Sequence, residues 1–278
     1  MPRLLRQQVA GMNIHYIYYS IDYFLDAQQK AGFKTVELVG QAPHFLMDYT
    51  GFQDTKKVRE KAESRGLKIG VFTPECAAYH YLLCSPDPGF HKRSMEYFKQ
   101  GIKACAGLGS KIMLTNCIGG TWDEEPGRTY ERAVKSLKEL GDAAKESGVT
   151  VAVETVRPEE SKIITTVGGL KKLYDDVSHP NVKAALDTVA MGVAGETPRQ
   201  WFETFGKDII HCHFVDGRPY GHLIWGDGLY PLDRYIKVLN DYGYEGYLSQ
   251  EITDGRYFDK PAEADARNFK AFEPYFVN

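Results

Sequence analysis

Four side chains able to bind a metal or move a proton fall at the ends of four successive apolar runs: Glu154 closes VTVAVE, Asp187 closes VKAALD, His213 lies near the end of IIHCHF, and Glu251 closes GYLSQE. A lone carboxylate at such a place usually caps a helix or pairs with a base. Four in succession are a different matter. Carboxylates beside Val153 and Leu186 are costly to bury unpaired, and three of them converging repel one another. A divalent cation removes both difficulties. Three carboxylates and one imidazole with open positions suit Mn²⁺, Mg²⁺ or Co²⁺ better than a structural zinc, which favours thiolates and a closed tetrahedron. Carboxylate oxygens that the metal does not use fully remain available for proton transfer. His211, two residues before His213 and on the same face, reads as a packed or supporting histidine rather than a fifth ligand.

Something must hold these four runs side by side. Eight short strand-like segments, at 10–15, 34–39, 67–73, 111–116, 149–154, 182–187, 209–214 and 246–251, alternate with amphipathic stretches from one end of the chain to the other. Glycines at 32, 66, 109, 148 and 243 stand where a helix must end in a left-handed residue. Eight such units without a long linker imply an α/β fold closed as one (β/α)8 TIM barrel over residues 1–278. An open doubly wound sheet would carry a glycine-rich first turn, and MNIHYIYYS is not one. In a barrel the active site lies at the C-terminal ends of the strands, where the four side chains fall.

Composition narrows the partners. Of 278 residues, 34 are Lys or Arg and 37 are Asp or Glu, for a net charge of −3. This balance gives no field for a polyanion, so no nucleic acid is expected. The five cysteines are scattered with no C-x-x-C pair, which argues against a disulfide framework and suits a reducing cytoplasm. No apolar run is long enough for a signal-peptide core or a membrane span, so a soluble, unprocessed cytoplasmic protein is expected.

VAVETVRPEES, AALDTVAM, HCHFVDGR and YEGYLSQEI resemble, in order, the four metal-site segments of the sugar-phosphate isomerase/epimerase superfamily, the barrels related to xylose isomerase. Within it the chain is most similar to the ketose 3-epimerases, especially the fructoselysine 3-epimerase branch, which FTPECAAYHY and HLIWGDGLYPL also resemble. The resemblance implies one divalent metal ion, Mn²⁺ before Co²⁺ or Mg²⁺, held by Glu154, Asp187, His213 and Glu251. It also implies that Glu154 and Glu251 exchange a proton with the carbon beside a ketose carbonyl, from opposite faces. A small-molecule sugar is then the substrate, and Glu160 matches a position that bonds it near the reacting end, although a solvated loop acid fits equally well.

The chain departs from the simple ketohexose epimerases at two places. A substrate-contacting histidine is replaced by Ala190, and an arginine by Pro219 with Arg218 one position earlier. A substituted sugar is therefore expected rather than a free one. His15 with Tyr16, and His80 between Tyr79 and Tyr81, could line or cap a pocket, or equally be ordinary packing. Arg218 and Arg256 could meet an anionic group of the substrate. Tyrosine-rich runs such as YIYYSIDYF exceed the needs of a core and suggest a homo-oligomer interface or a lid. Three other readings use the same barrel: an inosose or hydroxypyruvate-type isomerase or dehydratase, a metal-dependent phosphodiesterase, and a non-catalytic sugar-binding protein. The phosphodiesterase would need more metal ligands and a basic groove, and intact Glu154 and Glu251 argue against lost turnover.

Overall fold

A computed structural model describes residues 3–77, 80–117 and 120–277. Eight parallel strands close on themselves in sequence order: β1 (Val9–Met12), β2 (Thr35–Gly40), β3 (Lys68–Pro74), β4 (Ile112–Asn116), β5 (Thr150–Glu154), β6 (Val182–Asp187), β7 (Ile209–His213) and β8 (Tyr247–Gln250), with β1 pairing to both β2 and β8. Around them run α1 (Ile21–Ala31), α2 (Thr55–Glu63), α3 (Pro88–Gly107), α4 (Pro126–Glu146), α5 (Val167–Val177), α6 (Thr188–Val193), α7 (Pro198–Phe205), α8 (Leu232–Asp241) and α9 (Pro261–Phe272). This is the expected (β/α)8 barrel.

The helices take their form from local rules. α4 carries Ala133, Leu137, Leu140 and Ala144 on one fully buried stripe at a spacing of three to four residues. Proline occupies the first turn of α3, α4, α7 and α9, where its missing N–H costs nothing. Asp87 caps α3 by accepting the Phe90 N–H at 2.5 Å. After α1 the chain turns through Gly32 at φ 101°, and after α4 through Gly148 at φ 66°, a left-handed backbone that favours glycine.

Two elements differ from the sequence expectation. The first strand stops at Met12 and not at 15, because the Asn13 side chain takes the Val39 N–H at 2.6 Å and the segment Ile14–Tyr16 winds into a 3₁₀ turn. Between β6 and β7 two helices stand, α6 and α7, where the alternation of strands and amphipathic stretches implied one. The additional α6 begins because Asp187 Oδ1 accepts the N–H groups of Val189 (2.6 Å) and Ala190 (3.3 Å).

The barrel interior sets the site's floor. Val71, Leu114, Ala152 and Ala185 form a buried cluster backed by Ile210 and Tyr247. A Cβ at Gly70 would lie 2.8 Å from the Tyr247 ring, so this glycine leaves room for the tyrosine in the lower barrel. Side chains alternate along a strand, so two residues beyond Ala152 and Ala185 the same inward face presents Glu154 and Asp187. A fully buried apolar side chain contributes about 1.5–3 kcal/mol, and this interior fixes where those carboxylates emerge. No helix among the described residues is long and apolar enough to cross a membrane.

Candidate metal centre and active site

Glu154, Asp187, His213 and Glu251 meet at the C-terminal mouth of the barrel. Nδ1 of His213 stands 3.1 Å from Glu154 Oε2 and 3.0 Å from Glu251 Oε2. Glu154, Asp187 and His213 each bring one donor atom to within 4.8 Å of the others, and all three residues are buried. Glu251 is the most open of the four, with 17% of its side chain exposed. Asp187 divides its oxygens: Oδ1 caps α6 and Oδ2 faces the cluster.

A second layer, absent from the sequence reading, fixes the imidazole. Glu37 on β2 is fully buried, and its Oε1 lies 3.2 Å from His213 Nε2 and accepts the Thr73 hydroxyl at 2.5 Å. Its other oxygen lies 2.8 Å from Nε2 of His211, which is fully buried. His211 thus belongs to the supporting layer, as its position suggested. With Nε2–H donating to Glu37, His213 turns the lone pair of Nδ1 toward two carboxylate oxygens. Neither His213 Nδ1 nor Glu154 Oε2 makes a hydrogen bond among the described residues. A lone pair on Nδ1 at about 3 Å from two carboxylates needs a cation between them. Without a metal a proton takes that place, since burial opposes the charge on His213 but Glu251, Glu37 and Glu154 raise the imidazole well above its ordinary value. Donors coordinated at right angles around an ion at about 2.1 Å are about 3 Å apart. The residues therefore fit a divalent cation.

His222 was also not singled out. It arrives from the loop between β7 and α8 and places Nε2 3.2 Å from Asp187 Oδ2 and 3.1 Å from Glu251 Oε2. The only sequence signal was its place in HLIWGDGLYPL, a quoted segment in which no residue had a chemical role. Glu37 gave no signal, since an acid within a strand takes its meaning from what lies across the barrel.

The electrostatics separate the two glutamates. Burial pushes the Glu154 carboxyl up to about 7, against the pull of His213, with Glu251 and Asp187 adding repulsion. Burial also acts on Glu251, but the imidazoles of His213 and His222 outweigh it and hold that carboxyl well below its ordinary range. Burial disfavours the charged His222, yet Glu251 and Asp187 raise it to about 10. Near neutral pH the side chains by themselves keep Glu251 ionised and Glu154 poised between states.

The remaining expected residues lie elsewhere. Glu160 is clamped by Arg157, whose Nε and Nη2 donate to it at 2.9 and 2.7 Å, and whose charge also acts on Asp187. Arg218 is exposed, with its guanidinium on the Asp227 carbonyl, and Arg256 pairs with Asp254 at 2.9 Å. His15 is fully buried with Nε2 3.0 Å from Asp265, which also accepts the Tyr16 hydroxyl at 2.7 Å, so both side chains join a cluster between α1 and α9. His80 is exposed beside a cleft of about 340 Å³ lined also by Gln41, Phe45, Met47 and Tyr81 from the loops after β2 and β3 and by Tyr97 of α3. Its neighbour Tyr79 lies outside the described residues. In the tyrosine-rich run Tyr16 and Phe24 are core, whereas Tyr18 is 77% exposed.

Comparison with known proteins identifies the family of this fold. A model of the xylose isomerase-like TIM barrel family matches residues 25–272. Fructoselysine 3-epimerase of Shigella flexneri is 25% identical over 256 residues, 90% of this chain and 92% of that protein. D-psicose 3-epimerase of Enterocloster bolteae is 26% identical over 268 residues, 90% of this chain and 85% of that protein. A 3-keto-D-glucoside 4-epimerase from E. coli superposes with a TM-score of 0.81 at 15% identity over 96% of this chain and 99% of its own, a likeness of fold. The chain belongs to the xylose isomerase-like TIM barrel family.

Proposed function

We propose that this family member is a metal-dependent sugar epimerase acting at the carbon beside a ketose carbonyl, with Glu154 and Glu251 as its two bases. The observation that carries this reading is a pair of buried atoms without a hydrogen bond among the described residues, His213 Nδ1 and Glu154 Oε2, with Glu251 Oε2 3.0 Å from the same nitrogen, at the C-terminal end of the barrel. Glu154, Asp187, His213 and Glu251 hold the cation, which supplies Lewis-acid stabilisation of charge on the substrate's carbonyl oxygen. One glutamate removes the proton from the adjacent carbon, and the C–H electron pair moves toward the carbonyl oxygen. The other glutamate delivers a proton to the opposite face, so the electron pair returns to carbon and the centre inverts.

Both glutamates come from strand ends, Glu154 on β5 and Glu251 directly after β8, so the barrel wall sets their separation. Their unlike environments suit opposite proton roles in one turnover. The relatives named as 3-epimerases support inversion next to the carbonyl as the reaction. Ala190 and Pro219, together with the cleft beside His80, support a ketose that carries a substituent.

The test is a panel of free and substituted ketoses incubated with Mn²⁺-, Co²⁺- or Mg²⁺-loaded protein in D2O and followed by NMR. The reading requires epimer formation with deuterium incorporated at the inverted carbon, and a larger kcat/KM for a substituted ketose than for free fructose, tagatose or psicose. Fresh protein without bound metal, not activated by any of the three ions, would falsify it. Equal constants on free and substituted sugars would remove the substrate preference alone.

A further inference from the structure

Three features of His222 set it apart from an ordinary loop histidine. It is nine-tenths buried, its Nε2 points at two carboxylates already in the metal centre, and the loop that carries it is built to a fixed shape. That shape depends on Asp216, a buried residue whose carboxylate accepts the backbone N–H groups of Gly217 (2.8 Å), Gly226 (3.0 Å), Gly228 (2.8 Å) and Tyr230 (2.9 Å). A Cβ at Gly228 would lie 2.2 Å from Asp216 Oδ1, so only glycine lets that strand of the loop close on the carboxylate. Next to His222, Leu223 exchanges both backbone hydrogen bonds with Asp216, at 3.0 and 2.9 Å. The carbonyl of His222 itself accepts the Thr253 N–H at 3.3 Å, two residues past Glu251.

The donor atoms then form a continuous string. From Glu154 Oε2 to His213 Nδ1, Glu251 Oε2, His222 Nε2 and Asp187 Oδ2, successive separations are 3.1, 3.0, 3.1 and 3.2 Å. These are the spacings of neighbouring donors on one coordination shell, about 3 Å for bonds of about 2.1 Å. Asp187, His222 and Glu251 also bring their donors to within 4.8 Å of one another. The same contacts serve as ion pairs when the imidazoles are charged, but Glu154 Oε2 and His213 Nδ1, both buried and without a well-aligned hydrogen bond among the described residues, aim this shell at a ligand.

We propose that His222 is a fifth protein ligand of the divalent cation, giving the centre two imidazoles and three carboxylates. The inference rests on the metal-centre reading above and adds a ligand to it. Its consequence is metal choice. A second imidazole favours the later first-row ions such as Co²⁺ over Mg²⁺, which prefers oxygen donors. The β7–α8 loop thereby tunes a centre whose other ligands are fixed on strands.

The experiment uses the full chain with ¹⁵N-labelled histidine, loaded with Mn²⁺ and examined by electron–nuclear double resonance. Two imidazole nitrogens should couple to the ion in the wild type and one in His222→Gln. Calorimetric titration of the same proteins should show Co²⁺ affinity falling by about tenfold or more in the variant, the scale on which even supporting residues act, and Mg²⁺ affinity falling less. The wild-type nitrogen count does not depend on how well the variant folds. One coupled nitrogen in the wild type overturns the proposal and leaves the four-ligand reading standing. Absence of Mn²⁺ binding overturns both.

Discussion

At the scale of single residues, the account depends on which lone pairs face the cation. Glu37 orients His213 through Nε2, so Glu37→Gln should keep the fold yet weaken divalent-metal binding by about 10–100-fold, measured by calorimetry. Unchanged affinity would make Glu37 a mere filler of the barrel. Glu154 raises a second expectation. Its carboxyl is pushed up to about 7, so the side chain carries a proton below that pH which the cation must displace. Metal affinity should therefore fall more steeply below about pH 7 than above it, by about a further tenfold per unit for the Glu154 proton added to the one on His222, whose imidazole is raised to about 10. An affinity independent of pH between 5 and 7 would contradict the raised carboxyl. The sequence disclosed the four strand-end residues because each lies where a barrel strand must stop, a position fixed by local pattern. Glu37 and His222 were not legible for the opposite reason: their partners are 176 and 35 residues away in the chain, His213 for the first and Asp187 for the second.

At the scale of elements, the helices are supports and the loops carry specificity. Leu140 lies at the centre of the buried stripe of α4, so Leu140→Ala should cost about 2–5 kcal/mol through lost burial and a residual cavity. That loss is read as a lower denaturant midpoint, and metal affinity in the folded protein should not change. A parallel loss of metal binding would mean that α4 packing shapes the centre. Periodicity and glycine punctuation revealed most of these elements. They failed at the first strand, because Asn13 diverts the chain through its side chain, and at α6, because its start is Asp187 acting as a cap. A residue expected only as a metal ligand also starts a helix, and that dual use is invisible when one role is sought at a time.

At the scale of the whole molecule, closure of eight strands brings Glu154 and Glu251 from β5 and the end of β8 to either side of one histidine. The closed barrel was legible from the count and rhythm of its units, whereas the cleft beside His80 was not, since it arises where loops following β2 and β3 meet. The central claim is that inversion needs both carboxylates, each in its own proton transfer. It is tested most directly by comparing Glu154→Gln and Glu251→Gln in D2O on the best ketose substrate, with metal loading verified for each. Each variant should lose net epimerisation by about 10³-fold or more, toward the upper end for acid–base groups. The variant that keeps the first base for a given epimer should still wash deuterium into that epimer without inverting it, the other should do neither, and starting from the opposite epimer should exchange their behaviour. Near wild-type epimerisation by either metal-loaded variant would contradict the account, because another group would then be moving the proton.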